Sequence, residues 1–252
     1  MSEVVTNSYR FATSGIDDTA LKAYYKFDEA SGDIINQSES SEDLGSSADQ
    51  QVTDATYGET GILDDALLYD GTNDYSRAGT SLSQFDFCHV TGHEWTLNFW
   101  LWQNTQIRGT GVMGTSWSAD TNGFLVGAST NNRMFLRLDD GSAGQPIDDA
   151  YSVNSFIGDG TWEMFTITWS DPNEEAIVYR DYDSATWTID YALPSRTTGN
   201  AGNPMTSGMN PSLTGTNWFA GKIDEVSFWD RILTSNEIEA LYNSGSAQAI
   251  YG

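Results

Sequence analysis

Residues 220–243 read AGKIDEVSFWDRILTSNEIEALYN and contain the clearest structural pattern of the chain. Val226 and Phe228 are separated by one polar residue, which is the period of a strand with one buried face. Ile223 lies three residues before Val226, and this odd spacing breaks the period of two. The break predicts a β-bulge at the two intervening carboxylates, Asp224 and Glu225.

A short helix is predicted directly after this strand. Thr234 and Glu237 have the spacing of a capping box, in which each residue satisfies a free backbone N–H of the other. Gly245 is placed to end the helix as a left-handed residue. The helix has one apolar stripe, formed by Ile238, Leu241 and Tyr242. Because the rest of the chain is predicted as strands, we expect this helix to pack against a β-sandwich and cover part of it.

The closing stretch resembles a known family motif. GKIDEVSFWDRILTSNEIEALY is similar to the end of the laminin-G-like and pentraxin-like jelly rolls of the concanavalin A-like superfamily, where a D-E-V strand precedes an R-x-L-(S/T)-x-x-E-I-x-x-L-Y helix. Three earlier landmarks keep the family's order: LKAYYKFDEASGD at 21–33, ALLYDGTNDYS at 66–76 and WTLNFWLWQ at 95–103. The resemblance implies an all-β fold, a two-sheet antiparallel jelly-roll sandwich with one short C-terminal helix.

The residues alone agree with one sandwich domain. Short alternating segments follow one another between polar turns, without an internal repeat or a linker. We divide the chain into an N-terminal arm at 1–20, a jelly-roll domain at 21–245 and a C-terminal tail at 246–252. Composition predicts long surface loops at 36–61 and 194–212, and a hairpin within 176–191.

Residues 95–102 are apolar on both faces of the predicted strand. Two interpretations stay open: a central strand packed on both sides, or a face that exposes Trp100 and Trp102.

Composition excludes several classes of function. The 252 residues carry 11 Lys and Arg against 36 Asp and Glu, a formal net charge of −25 at pH 7. Such a surface repels nucleic acid and anionic membranes, and no apolar run reaches the roughly 20 residues of a membrane span. The single Cys88 excludes an internal disulfide and is expected to be buried. No secretory signal is visible, so we expect an extracellular or virion-surface protein, released by lysis or lacking a removed leader.

Catalytic patterns are missing from the sequence. His89 and His93 lie in HVTGHEW, which is not a zinc-protease helix, and we expect surface or loop roles for both. The superfamily includes laminarinase-like glucanases, which place two carboxylates on one strand as E-x-D-x-E or E-x-D-x-x-E. Neither string occurs here, so the sequence predicts a protein without enzymatic activity.

A structural calcium site is implied by the resemblance. Calcium prefers six to eight oxygen ligands, mostly carboxylates and carbonyls. The family commonly brings the acidic turn after the first strand next to the D-E-V strand. The predicted ligands are Asp28, Glu29, Asp33, Asp224 and Glu225.

Sugar binding needs an aromatic platform together with amide or carboxylate groups. Tryptophans and asparagines in the polar turns offer both. The turn at 120–122 also corresponds to a calcium-binding turn of the pentraxins, but residues 210–221, NPSLTGTNWFAG, lack the carboxylates of the pentraxin partner loop, which argues against phosphocholine binding. The candidate ligand-binding residues are Trp117, Asp120, Asn122, Asn131, Asn132, Asn217 and Trp218.

The sequence therefore predicts a non-catalytic recognition or attachment module. One hypothesis is a virion-surface structural protein, a phage decoration or appendage, with a lectin-like fold that binds glycans with calcium assistance. The alternatives are a secreted carbohydrate-binding module and, less favoured, a laminarinase-like glycoside hydrolase. The expected partners are surface polysaccharides, subunits of a larger assembly, or both, without nucleic acid or membrane insertion.

Overall fold

A computed structural model describes residues 16–103, 110–117, 122–129, 132–140, 149–151, 156–158, 160–185, 188–189, 199–215 and 218–251. These residues form sixteen strands, one α-helix and short 3₁₀ turns at Gly45–Ala48, Asp86–His89, Asp171–Asn173 and Asn243–Gly245. The strands are β1 (Leu21–Tyr25), β2 (Gln50–Thr53), β3 (Thr56–Thr60), β4 (Asp65–Asp70), β5 (Tyr75–Ala78), β6 (Glu94–Gln103), β7 (Thr110–Gly114), β8 (Asn122–Ser129), β9 (Arg133–Asp140), β10 (Asp149–Tyr151), β11 (Trp162–Ser170), β12 (Glu175–Arg180), β13 (Asp183–Ala185), β14 (Thr188–Ile189), β15 (Thr206–Ser207) and β16 (Ala220–Trp229). The helix α1 is Ser235–Tyr242.

The strands form two antiparallel sheets. The first has the order β13-β12-β11-β6-β16-β4-β3, with β1 paired to β16, and the second has the order β14-β10-β9-β8-β7-β15-β5-β2. Neighbours in these orders are mostly distant in sequence, as expected for a jelly roll. The predicted two-sheet antiparallel sandwich with one short C-terminal helix is confirmed.

Strand β6 has apolar side chains on both faces because both faces are covered. Trp95, Leu97, Phe99 and Leu101 point into the main core between the sheets. Trp100 points the other way, into a second apolar cluster on the outer side of the first sheet, and is 2% exposed. The interpretation of 95–102 as a packed central strand is therefore correct for Trp100. Trp102, on the same face, is partly exposed.

The predicted bulge lies where the spacing placed it. Asp224 pairs with Trp100 of β6, but the next pair is Ser227 with Asn98, so β16 has one residue more than β6 over this stretch. Glu225 has φ 51°, a left-handed conformation that is uncommon outside glycine. The bulge turns both carboxylates away from a regular ladder.

Helix α1 closes the outer side of the first sheet. Thr234 and Glu237 form the predicted capping box. Ile238 and Leu241 are buried in the second cluster, which also contains Trp229 and Ile16. The helix ends earlier than predicted: the left-handed residue after Tyr242 is Asn243, and Gly245 lies two positions further on. Among the residues that the structure describes, no helix is long and apolar enough to cross a membrane.

Two predicted loops contain strands, and one predicted hairpin is divided between the two sheets. Residues 36–61 include β2 and β3, whose side chains are largely not buried, so apolar periodicity does not mark them. Within 194–212, β15 is inserted between β5 and β7. The predicted hairpin within 176–191 is wrong in part, because β12 pairs with β13 in the first sheet while β14 pairs with β10 in the second.

Parts of the predicted arm and tail pack on the sandwich. Ile16 is fully buried, and Arg231 donates hydrogen bonds to the backbone oxygens of Asp17 and Thr19. In the tail, Ile250 is 1% exposed and the Tyr251 hydroxyl donates to Asp18 at 2.9 Å. The packed unit therefore extends from 16 to 251, while residues 1–15 and 252 lie outside the described part of the chain.

Candidate functional site

A cluster of carboxylates surrounds the bulge of β16. Asp224 is fully buried, and its Oδ2 atom accepts hydrogen bonds from the backbone N–H groups of Ile62 and Leu63 at 2.8 and 3.3 Å. Its other oxygen, Oδ1, is buried without a hydrogen-bond partner in the described part of the structure. Burial, with repulsion from Glu225, raises the pKa of Asp224 well above its ordinary value. A buried carboxylate oxygen without a partner lowers the stability of the fold. This oxygen is available to accept a hydrogen bond or to coordinate a cation.

Glu225 is the second buried carboxylate, with 5% exposure. Its Oε2 atom accepts a hydrogen bond from the Tyr24 hydroxyl of β1. Burial raises the pKa of Glu225 to about 7, although the Tyr24 hydrogen bond and Lys26 act in the opposite direction. Near neutral pH this carboxyl is therefore divided between its neutral and ionised forms.

The structure brings one of the three residues of the first acidic turn to this cluster. Asp28 accepts a hydrogen bond from the backbone N–H of Asp65 at 3.2 Å and raises the pKa of both Asp224 and Glu225 by repulsion. Glu29 instead accepts from the backbone N–H of Ile35 at 2.9 Å. Asp33 is exposed and, with Glu29, acts electrostatically on Tyr57. Of the five predicted calcium ligands, Asp28, Asp224 and Glu225 therefore lie in one cluster, and Glu29 and Asp33 lie outside it.

The atoms around Gly61 fit the donor chemistry of a hard cation. A Cβ atom added to Gly61 would lie 2.4 Å from the Leu63 carbonyl oxygen, and 2.5 Å from both the Asp65 carbonyl oxygen and Asp224 Oδ2. Together with the unpaired Asp224 Oδ1, these are the neutral and anionic oxygens that calcium prefers. The described residues contain no group of three or more His, Cys, Asp or Glu that could hold a metal ion, so carboxylates alone do not complete the coordination. Any calcium site here would need backbone carbonyls as well.

The candidate ligand-binding residues do not all lie at one place in the structure. Trp117 follows β7 and Asn122 begins β8, so both lie at one end of the second sheet. The Arg137 guanidinium lies 5.3 Å from the Trp117 ring centroid and donates to its backbone oxygen at 3.1 Å. Asn122 is 9% exposed and donates to the Gly199 carbonyl at 3.2 Å. These contacts hold the turn region together.

Asn132 has a packing role in the turn before β9. It is 8% exposed, adopts φ 53°, and its carbonyl oxygen accepts from the backbone N–H of Ile157 at 3.0 Å. A side chain this buried is poorly placed to contact a polysaccharide. The remaining candidates, Asp120, Asn131 and Asn217, lie outside the described residues.

Trp218 lies at the other end of β7 from Trp117. It pairs with Met209, whose neighbour Asn210 approaches Gly111 near the start of β7. Its ring is partly exposed and lies 6.5 Å from the ring of Tyr75, with an interplanar angle of 35°. The two predicted tryptophans therefore do not form one site.

Arg77 extends the Trp218 and Tyr75 pair along β5. Tyr75 and Arg77 are two positions apart and share the outer face of the second sheet. The guanidinium donates to the Thr206 hydroxyl at 3.1 Å and to the Pro211 carbonyl at 2.5 Å, and burial lowers the pKa of Arg77. We call Tyr75, Arg77 and Trp218 the aromatic patch. Tyr75 and Arg77 are not among the residues predicted from the sequence, although two side chains at i and i+2 lie on one face of any strand.

The histidines do not form a catalytic pair. His89 is fully buried, with Nε2 3.0 Å from the Thr115 hydroxyl. It lies in a 3₁₀ turn between β5 and β6, so the expected loop position is found and the surface position is wrong. His93 is exposed and lies 3.3 Å from Asp230. Cys88 is a buried free thiol, as predicted.

The fold and these sites define a lectin-like β-sandwich. The family model Laminin_G_3, described as concanavalin A-like lectin/glucanases superfamily, matches residues 70–239, which is more than half of the chain. The chain therefore belongs to this family. No curated protein matches the sequence.

Solved structures with the same fold include several carbohydrate-related and receptor-binding proteins. The binding domain of botulinum neurotoxin serotype D is similar with a TM-score of 0.64 and 10% identity over 93% of this chain and 53% of that chain. Trypanosoma rangeli sialidase in complex with the inhibitor DANA gives a TM-score of 0.61 and 12% identity over 90% and 34%. The chain thus spans about half of the first protein and about a third of the second.

A third similar structure matches over its whole length. Domain 4 of AbnA, an extracellular arabinanase from Geobacillus stearothermophilus, was solved in complex with arabinotriose. Its TM-score is 0.59 with 19% identity, covering 90% of this chain and 98% of that domain. At these identities the likenesses show a shared fold.

Proposed function

We propose that this protein is a non-catalytic carbohydrate-binding module that holds a glycan on the aromatic patch. The observation that carries the proposal is the partly exposed pair of Trp218 and Tyr75, 6.5 Å apart beside Arg77 on the outer face of the second sheet. Aromatic rings cover the apolar face of a pyranose or furanose ring, while neighbouring donors bind its hydroxyl groups.

The polar part of the patch is already ordered. Arg77 is fixed by Thr206 and Pro211, so little side-chain freedom is lost when it donates to a sugar oxygen. Gln51 of β2 pairs with Arg77 and is exposed, which adds an amide on the same strip of sheet. Two partly exposed aromatic rings flanked by a guanidinium and an amide support recognition of an oligosaccharide.

The similar structures support the same function. Domain 4 of AbnA, which this chain covers almost completely, was solved with a bound arabinotriose, and the botulinum neurotoxin domain is named a binding domain. The first is a domain that holds an oligosaccharide in its structure, and the second is a domain for binding. We extend this property to the present chain as part of the proposal.

The buried carboxylates argue against hydrolysis. A retaining glycosidase needs two carboxyl groups about 5 to 5.5 Å apart on either side of the scissile bond. Asp224 and Glu225 are adjacent, but they are 0% and 5% exposed and are bonded to backbone N–H groups and to Tyr24. Carboxylates in this position do not reach a polysaccharide, so we assign them a structural role.

We propose that this structural role is calcium binding, with Asp224 and the backbone carbonyl oxygens of Leu63 and Asp65 as ligands. Asp28 and Glu225 would add negative charge beside the ion. Calcium would supply positive charge to carboxyl groups whose pKa values are raised by burial. The bound ion would connect β16 with the segments that follow β1 and precede β4. Glu29 and Asp33 are not part of this proposed set.

The biological role we propose is attachment, either on a virion surface or as a secreted module. A formal charge of −25 keeps copies of a displayed domain apart and soluble, which suits a densely decorated particle. Removal of residues 1–15, which keeps the buried Ile16, tests the assembly role. We expect this truncation to abolish incorporation into the assembly and to leave glycan binding intact.

Glycan-array screening followed by calorimetry tests the main proposal. We expect an oligosaccharide ligand whose affinity falls at least about fivefold in Trp218→Ala and Tyr75→Ala. Loss of an aromatic ring that stacks on a nucleic-acid base costs about 1 to 3 kcal/mol, and we expect a similar cost for a sugar ring. Trp102→Ala is the matched control, because Trp102 is a partly exposed tryptophan on the first sheet, beside Lys222. Unchanged affinity in both patch variants, or release of reducing sugar from laminarin or arabinan, would overturn the proposal.

A further inference from the structure

A cleft lies on the outer side of the first sheet, on a different sheet from the aromatic patch. It has a volume of about 610 Å³ and lies between α1 and the turn that joins β12 to β13. Its lining combines two tyrosines with amide, hydroxyl and carboxylate groups: Tyr182, Asn236, Glu239, Tyr242, Asn243 and Ser244. We call this the tyrosine cleft.

The floor of the cleft is a rigid aromatic stack. The ring of Tyr242 is nearly parallel to that of Trp100, at 10° and 5.9 Å, and Trp100 is buried against the sheet. Tyr182 packs on Tyr242 at 5.3 Å and 44°, and 45% of Tyr182 is exposed. Tyr182 is one of three large hydrophobic residues that are exposed in the described part of the chain. A supported ring that faces solvent is a surface for stacking with a ligand.

The charges around the cleft are negative. The Glu239 carboxylate lines it and is exposed. Burial raises the pKa of Tyr242, and repulsion from Asp181 and Asp183 raises it further. The nearby Arg180 acts on Asp181, but its charge is already balanced by an ion pair with Glu163, so the net charge around the cleft stays negative. An aromatic surface within a negative field attracts cations and disfavours anionic sugars.

We infer that the tyrosine cleft binds an amino sugar, with the sugar ring against Tyr182 and its protonated amine at the Glu239 carboxylate. The amides of Asn236 and Asn243 and the Ser244 hydroxyl offer partners to the sugar hydroxyl groups. The cleft does not depend on the aromatic patch, because the two sites are on the outer faces of different sheets. The domain would then contact two glycan segments, one on each face.

Calorimetry with glucosamine tetrasaccharide tests this inference. The titrations use Trp218→Ala as the parent protein, so that failure of the aromatic patch and failure of the tyrosine cleft are distinguished. We expect affinity to fall about tenfold in Tyr182→Ala and about fivefold in Glu239→Gln. N-acetylglucosamine tetrasaccharide, which lacks the positive charge, should bind at least about tenfold more weakly than the amine.

The controls separate a specific site from general attraction to an acidic protein. Glu175→Gln removes the same charge from the exposed far end of β12, and Leu82→Ala removes an exposed apolar side chain elsewhere. Both should leave the affinity unchanged. Equal losses in Glu175→Gln and Glu239→Gln, equal binding of the acetylated tetrasaccharide, or full affinity in Tyr182→Ala would each overturn the inference. All these side chains are exposed, and unchanged melting temperatures will verify that the variants fold.

Discussion

The Tyr24 hydroxyl donates a hydrogen bond to the Glu225 carboxylate, and this contact joins the first strand of the sandwich to the last. The two residues are 201 positions apart in sequence. Both groups are buried, so neither can exchange its partner for water without opening the sheet. The bulge in β16 makes the contact possible, because it turns Glu225 toward β1.

We expect the domain to be more stable at mildly acidic pH than at pH 8. The pKa of Glu225 is raised from 4.5 to about 7 in the folded protein. The folded state therefore binds this proton more tightly than the unfolded chain, and the stability it contributes is present below about pH 4.5 and lost as the pH rises through about 7. The loss from this residue is up to about 3 kcal/mol. Urea unfolding between pH 5 and 8, without calcium, measures it.

Glu225→Gln isolates this effect. Burial also raises the pKa of Asp28 and Asp224, which act with the same sign, so the difference between wild type and variant reports on Glu225 itself. We expect the variant to be more stable than wild type at pH 8 and to have a flatter pH profile. Glu42→Gln, an exposed carboxylate, is the control. If the free energy of unfolding changes with pH in the same way for wild type and Glu225→Gln, ionisation of Glu225 does not destabilise the folded protein.

Calcium should stabilise the fold and reverse this pH dependence. A ligand at about 100 times its Kd adds about 2.7 kcal/mol to the free energy of unfolding, which corresponds to a rise of several degrees in Tm. Because calcium binds the ionised carboxylates, its stabilisation should grow with pH. Melting curves in calcium and in chelator measure the difference, which Asp224→Asn should remove and Asp33→Asn should preserve. Identical curves for the wild-type protein would exclude the proposed calcium site.

The sequence predicted the strongly patterned elements of the fold. The spacing of Ile223 and Val226 located the bulge, and the spacing of Thr234 and Glu237 located the first turn of the helix. Strand β3 has no buried side chain and exists through backbone pairing with β4, and β15 has only two residues. Such strands leave no apolar period, so the sequence could not reveal them.

The candidate sites were predictable only in part, because side-chain contacts across the sheets depend on register. The acidic turn and the D-E-V strand meet through Asp28, but Glu29 and Asp33 turn toward the other side of the same short segment. Trp218 was identified by residue type, whereas its partner Tyr75 is 143 positions earlier in the sequence and comes near through the order of the second sheet. The tyrosine cleft likewise joins elements that no local pattern connects.

The apolar stripe of α1 should contribute strongly to stability. Ile238 is fully buried and Leu241 is 4% exposed, so Ile238→Ala or Leu241→Ala opens a cavity and should cost about 2 to 5 kcal/mol. Glu239→Ala on the exposed side of the same helix should cost less than about 0.5 kcal/mol. Equilibrium unfolding in urea gives all three values. Similar small costs at the three positions would contradict the packing of this helix.

The last prediction concerns Arg231, which holds the start of the described chain to α1. Its guanidinium donates to both carboxylate oxygens of Glu237 at 2.6 and 3.0 Å, and to the backbone oxygens of Asp17 and Thr19 at 2.6 and 3.2 Å. We expect Arg231→Gln to cost about 2 kcal/mol, because hydrogen bonds to a charged group are lost at a partly buried site. Arg231→Lys should recover little of this, since an ammonium group cannot match the forked geometry. Amide exchange should become faster at Leu21, whose backbone N–H donates to the Asp18 carbonyl.

The pH dependence of the Arg231 effect provides its internal check. Burial raises the pKa of Glu237, but the hydrogen bonds from Arg231 and Thr234 outweigh it and hold the pKa below its ordinary 4.5. The stability from this pair is therefore present above about pH 4.5 and is lost as the pH falls through the lowered pKa. The difference between wild type and Arg231→Gln should shrink from pH 7 to pH 3. Lys222→Gln breaks an ion pair with Glu59, whose carboxylate is more exposed than that of Glu237, and should cost under about 1 kcal/mol. A cost for Arg231→Gln no larger than this control, with unchanged amide exchange, would mean that the arginine does not anchor the chain start.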